Sequence, residues 1–149
     1  MTKVETSVVI NRPLEEVFAF IADFENNPQW QAGMQEARQI SEGPIDVGTT
    51  YNQLAKFLGR PVESTFEIIE YEPNQRIKGR STSGSFPITF TRTVEPTPEG
   101  TKVSALIEGD ASGFFRLAEP LLNRMVQRQV NGDYTKLKSL LESGVFSID

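Results

Sequence analysis

The chain contains no cysteine and no histidine. Without cysteine there is no disulfide framework, no thiolate nucleophile and no thiol metal site. Without histidine the chain lacks the most frequent general base, the most frequent metal ligand and every Ser-His-Asp or Cys-His arrangement. No run approaches the roughly 18 consecutive apolar residues of a membrane span. The opening Met1-Thr2-Lys3-Val4-Glu5 carries no apolar segment of a secretory signal, so the expected location is the cytoplasm. Basic blocks are missing as well, and a net charge of −5 argues against nucleic acid as the main partner. No phosphate-binding glycine loop is present, since Gly79, Gly84 and Gly100 read as turn or strand glycines. The expectation is a protein without metal or cofactor.

What remains is ordinary in bulk. The 149 residues are 38% hydrophobic and 23% charged, which suits one soluble domain, residues 1–149, with a core that needs no staples. Val4, Thr6, Val8 and Ile10 alternate with Glu5, Ser7 and Val9, the pattern of a half-buried strand. Asn11-Arg12-Pro13 then starts a helix, with Asn11 or Arg12 in the cap region and Pro13 suited to the first turn. Leu14, Val17, Phe18 and Ile21 form its buried face, and Glu15 and Glu16 complement the positive end of its dipole. A shorter helical piece follows over Glu25 to Trp30. From Gln35 the chain turns β-rich, with strands over Gln35–Ser41, Thr49–Leu58, Val62–Ile68, Arg76–Thr82, Ile88–Val94 and Thr101–Glu108. Turn residues at Gly43-Pro44, Val47-Gly48, Gly59-Arg60-Pro61, Glu72–Gln75, Ser83–Ser85 and Glu95–Gly100 separate them. Short connections make the later strands an antiparallel meander.

Phe114 to Glu142 reads as one long helix, about 40 Å if continuous, capped by Asp110–Gly113 and closed by Ser143-Gly144. Its apolar residues lie on two faces. Phe114, Leu117, Ala118, Leu121, Leu122 and Met125 share one; Val126, Val130, Tyr134, Leu137 and Leu141 share another, rotated by roughly 150°. Pro120 tends to kink it, so the two halves are expected to pack against different things. A curved sheet wrapped around this helix satisfies every apolar face.

Several segments carry a family resemblance: Ile10–Asp23, Asn27-Pro28-Gln29-Trp30, Val47-Gly48-Thr49, Gly59-Arg60-Pro61, Glu70–Pro73, Gly100-Thr101 and Leu137–Glu142. In this order, over nearly the whole chain, they resemble the START-like (SRPBCC) superfamily, in particular its small polyketide cyclase/dehydrase and lipid-transport group. The resemblance implies an α+β helix-grip fold. A curved seven-stranded antiparallel sheet surrounds a long C-terminal helix, with two short helices after the first strand and a deep apolar cavity inside. It also implies a small hydrophobic ligand, such as a lipid or polyketide, and in some members a cyclase or dehydratase activity. A third class is a protein-interaction module whose cavity is a vestige.

Inward strand residues and the first half of the last helix would line such a cavity. From the strands these are Tyr51, Gln53, Phe66, Ile88, Phe90 and Arg92; from the helix, Phe115, Leu121, Leu122 and Met125; Trp30 joins them from the short helical piece. Concave ligand sites are mainly apolar with a few convergent polar groups, and this set has that character. Arg92 shares the face of Ile88, Phe90 and Val94, where an unpaired charge is costly. It either clamps a ligand carboxylate, phenolate or enolate, or pairs with a carboxylate across the sheet, or snorkels to water at an edge. Proton transfer would fall to Tyr51, Arg92 or Tyr134, which no motif arranges into a constellation. Asp133 either faces inward or pairs on the surface with Lys136. Gln129, Gly132 and Lys136 continue the line of the first helical face; they either face a ligand space with polar contents or, as the helix rotates, meet solvent or close-packed backbone.

Overall fold

Seven strands in spatial order β1-β7-β6-β5-β4-β3-β2 form one antiparallel sheet in the computed structural model, which describes residues 2–57, 59–83, 87–109 and 119–144. The strands are β1 (Thr2–Ile10), β2 (Met34–Gln39), β3 (Thr50–Phe57), β4 (Arg60–Glu72), β5 (Arg76–Ser83), β6 (Ile88–Thr97) and β7 (Gly100–Gly109). β2 to β7 are the expected meander. β1 pairs with β7, Thr2 opposite Gly109 through Ile10 opposite Thr101, so the first and second strands occupy opposite edges. Crossing that width, up to about 30 Å at the usual strand spacing, takes more than a turn. Helix α1 (Leu14–Ala22) and a 3-10 helix (Phe24–Gln29) provide the crossing.

Three details differ from the sequence reading. Pro13 itself is the N-cap of α1, in an extended conformation, because its ring fixes φ at −61° just where the chain turns in. The second helical piece is 3-10 and starts at Phe24, since the Asp23 carboxylate accepts from Glu25 N at 3.1 Å and sets the first turn. β4 and β6 also run longer than their alternation suggested, and both include a proline. Pro61 pairs with Lys56 of β3 beyond the end of β5, and Pro96 pairs with Thr101 of β7 beyond it at the other end. Each therefore sits where one neighbour has stopped and no ladder hydrogen bond is lost.

The sheet curves because β4 carries register shifts at Thr65/Phe66 and at Ile68/Glu70, and β2 one at Met34/Glu36. Its concave side takes the last helix, α2, described over Glu119–Ser143. Residues 110–118, including the expected cap and Phe115, lie outside the described residues. α2 runs along the β1 edge. Gln127 Nε2 donates to the Glu5 carbonyl at 2.8 Å, Lys138 Nζ to the Val9 carbonyl at 2.6 Å, and Asn11 N to Glu142 Oε2 at 2.8 Å. The helix thus uses the free carbonyls of an edge strand that would otherwise invite another chain. Val130, Tyr134, Leu137 and Leu141 point into the core.

Gly132 lies on the solvent side of α2, and a Cβ there would meet nothing within 4 Å. Gly132→Ala is therefore expected to stabilise by about 1 kcal/mol. That corresponds to a rise of roughly 2–4 °C in a thermal melt. A lower Tm would show that the helix needs glycine there.

Candidate functional site

Among the described residues the concave face is filled at one end and open at the other. At the end covered by α1 and the second half of α2, Ile10, Ile68, Ile77, Val103, Leu137 and Leu141 have lost essentially all solvent contact. At the other end small side chains, Ala55, Ser64 and Ser81, share the inward face with Ile88, Phe90 and Ile107, and all six are only half-buried. Apolar surface on the inside of a curved sheet is thus left partly uncovered.

Between these two ends lies a polar knot centred on Arg92. Strand alternation turns Arg92 inward beside Phe90 and Val94, where it is 3% exposed. Its Nη1 donates to the Ile21 carbonyl at 2.7 Å and to Asn27 Oδ1 at 3.1 Å. Ile21 belongs to the last turn of α1, whose carbonyls lack helical partners and favour a cation. The guanidinium carbon lies 5.0 Å from the Phe24 ring centre, 4.9 Å from Trp30 and 5.5 Å from Phe90, within cation–π range of all three. Neither the cross-sheet salt bridge nor the snorkelling position describes it: among the described residues its charge is held by a helix end, an amide and three rings. Asn27 continues the network, its Nδ2 reaching Gln53 Oε1 at 3.4 Å. Asn26 Nδ2 donates to the Phe20 carbonyl at 3.1 Å.

The aromatic residues form a connected cluster. Phe24 packs 4.9 Å from Tyr51 and 5.0 Å from Phe90, Phe66 lies 5.3 Å from Phe90, and Trp30 meets Tyr134 edge-on at 4.8 Å. Gly79 makes room for this cluster, because a Cβ there would come within 2.8 Å of the Phe90 ring. Burial pushes the Tyr51 hydroxyl pKa up, and nearby Asp23 adds to the rise. The Tyr134 hydroxyl is raised by burial too, against the pull of Arg92. Among the described residues Trp30 Nε1 is buried without a hydrogen-bond partner, whereas the Tyr51 hydroxyl lies close enough to the Asp23 carboxylate and the Phe24 amide for both to act on it. A buried donor such as the Trp30 indole N–H carries a desolvation cost when it has no acceptor.

Of the residues expected to line a cavity, Trp30, Tyr51, Gln53, Phe66, Phe90 and Arg92 come together here, and Ile88 lies beyond Phe90 at the open end. Leu121 and Met125 do not join them: they are 63% and 44% exposed, on the outer side of α2. The Leu122 side chain lies outside the described residues. Sequence reasoning passed over Phe24, Asn27 and Ile107. Asn27 was visible only within a resemblance motif, and nothing in its spacing signals a bond to a strand residue 65 positions away.

Asp133 corrects another expectation. It is 9% exposed, and its Oδ1 accepts from Ala32 N at 3.1 Å, which ties α2 to the loop before β2. Burial pushes its carboxyl above the ordinary range, against the Ala32 amide and Lys136. A raised carboxyl contributes stability that is complete below its unfolded pKa and is lost as pH rises through the folded value. Asp133→Asn keeps an oxygen for Ala32 and removes the charge. The variant is expected to melt above the parent at neutral pH, with the gap closing as pH falls towards the ordinary carboxyl range. An equal gap at both ends would contradict this.

Comparison with known proteins agrees with this geometry. The sequence model of the family described as "Polyketide cyclase / dehydrase and lipid transport" matches residues 1–142. A Thermus thermophilus protein of solved structure superposes with a TM-score of 0.83 at 20% identity, covering 96% of this chain and 99% of that one. A START superfamily protein from Mycobacterium smegmatis gives 0.71 at 16% identity, covering 97% of each chain. The di-domain ARO/CYC protein BexL of the BE-7585A biosynthetic pathway gives 0.75 at 22% identity, covering 95% of this chain and 47% of that one. No curated protein matches this sequence. With a family match over nearly its whole length and a seven-stranded sheet closed on a C-terminal helix, the chain belongs to the polyketide cyclase/dehydrase and lipid-transport family.

Proposed function

We propose that the protein binds a small hydrophobic molecule, of lipid or polyketide type, in the space between the concave face of the sheet and α2. The observation that carries this reading is the open end of the grip, where Ile88, Phe90 and Ile107 stay half-buried on the inside of the sheet. Apolar area in a concavity is the usual surface for such ligands. The Trp30 indole offers a donor to a ligand oxygen deeper in. The chemistry favours binding over catalysis. Tyr51 and Tyr134 both have raised pKa values, so they donate hydrogen bonds but do not take protons at neutral pH. Arg92 is already engaged by Ile21 and Asn27.

Native mass spectrometry of the protein as purified, followed by denaturing extraction, tests this reading. A co-purifying apolar molecule, or saturable uptake of an anilinonaphthalene sulfonate probe, is the expected result. Phe90→Ala should weaken probe binding about five- to tenfold, the effect of losing one aromatic wall. Failure to take up any apolar probe, or unchanged affinity in a folded Phe90→Ala variant, would remove the site.

A further inference from the structure

The outer face of α2 has an unexpected charge pattern for so acidic a chain. Leu121, Arg124, Met125, Arg128, Gln129, Asn131, Gly132, Thr135, Lys136 and Ser139 are all exposed. Three of these are cations and none is acidic, in a chain with 20 acidic and 15 basic residues; the exposed acid further along the same face, Glu142, is paired with Lys138. The acid within that stretch, Asp133, turns away to Ala32. Arg124 and Arg128 form no ion pair among the described residues, whereas Lys138 on the β1 side of the helix pairs with Glu142 at 2.7 Å. Leu121 and Met125, one turn apart, place two long apolar side chains between these cations.

From this juxtaposition we infer that the outer face of α2 docks on an anionic lipid bilayer. Long cations reach the headgroup phosphates and carboxylates, while Leu121 and Met125 enter the boundary of the acyl region. Among the described residues this face carries no aromatic side chain, which suits a deformable surface better than a protein partner that needs a buried anchor. Its apolar pair is at the N-terminal end of α2, the end beside Glu5, where Gln127 bonds the β1 edge. That level of the sheet also holds Ile107, paired with Val4, at the open end of the concave face. Docking would therefore bring the open end of the grip to the membrane. The use of that placement for ligand passage rests on the proposed function; the docking itself does not.

The test is co-flotation of the full chain with vesicles of phosphatidylcholine, with and without added phosphatidylserine. Binding is expected to the anionic vesicles only, and to fall at high salt. Reversing two charges, Arg124→Glu with Arg128→Glu, should weaken partitioning by about twentyfold or more, since each cation is worth roughly a factor of five there. Leu121→Ser with Met125→Ser should weaken it several-fold, and Arg38→Glu, at the far edge of the sheet, should leave it unchanged. All these positions are exposed, so thermal melts should match the parent. Absence of flotation with anionic vesicles would overturn the inference. So would equal binding to soluble heparin with no effect of the serine pair, which would mark a polyanion site instead. Probe uptake by the cavity, measured on the same variants, separates failure of docking from failure of the ligand reading.

Discussion

Arg92→Ala is expected to destabilise the protein by about 3–5 kcal/mol, a large part of the stability of a domain this size. Three losses combine. The Ile21 carbonyl and Asn27 Oδ1 keep their burial and lose their donor, each at a cost of about 1–3 kcal/mol. The space between Phe24, Trp30 and Phe90 empties, and the rings lose the cation they surround. The link between the last turn of α1 and the middle of the sheet goes with them. Arg92→Lys should recover less than half, because an ammonium group cannot match the planar fork or stack on the rings. Arg92→Met fills the space without supplying donors and should fall between the two. Urea unfolding of the three variants gives the comparison. A loss below about 1 kcal/mol for alanine would show that the knot is incidental, since surface changes are of that size.

Gly100→Ala should be comparably damaging for a different reason. Gly100 has φ +143° and lies where β6 turns into β7. A Cβ there would stand 2.2 Å from the Ile10 carbonyl oxygen and 2.9 Å from Asn11 Cα. Those atoms are backbone, so no side-chain rotation relieves the clash, and β1 must move away from β7. The pairing of Ile10 with Thr101 and the 2.9 Å hydrogen bond from Thr101 Oγ1 to the Arg12 carbonyl would go first. With strain added to an unsuitable backbone angle, the cost should reach about 3 kcal/mol or more. Hydrogen exchange at Ile10 and Thr101 should rise more than at the centre of the sheet. The same substitution at Gly132 has the opposite expected sign, so the pair separates local geometry from a general effect of alanine. A Gly100→Ala protein as stable as the parent would mean the turn has slack that the close contact denies.

Much of the architecture was legible in alternation. Val62 to Ile68 and Ile88 to Val94 have a period of two that fixes both strand and face, and this put Arg92 on the face of Ile88, Phe90 and Val94 while leaving open whether its head met a ligand, a carboxylate or water. The partners of Arg92 could not be placed this way. Ile21 and Asn27 are 71 and 65 residues away, and their acceptors become available only once α1 ends and the 3-10 helix turns back over the sheet. The helix was legible as a helix, but its two apolar stripes gave no sign of which meets the core. The stripe of Val130, Tyr134, Leu137 and Leu141 won because it extends over three turns against a closed end of the sheet; Leu121 and Met125 face outward. Asp133 looked like a partner for its neighbour Lys136 because helix spacing reports only the helix. Contact with the Ala32 amide depends on where a distant loop passes.

Entry of apolar ligands at the open end of the concave face is read most directly by NMR shift mapping with an apolar probe. Saturable changes are expected at Ile88, Phe90 and Ile107, with the single tryptophan, Trp30, reporting through its indole Nε1–H. The convex side of the sheet offers a shallow polar groove lined by Glu5, Ser7, Thr91, Thr93, Lys102 and Ser104, which should stay silent. Shifts confined to that groove, or no saturable shift on the inside of the sheet, would show that apolar ligands do not enter there.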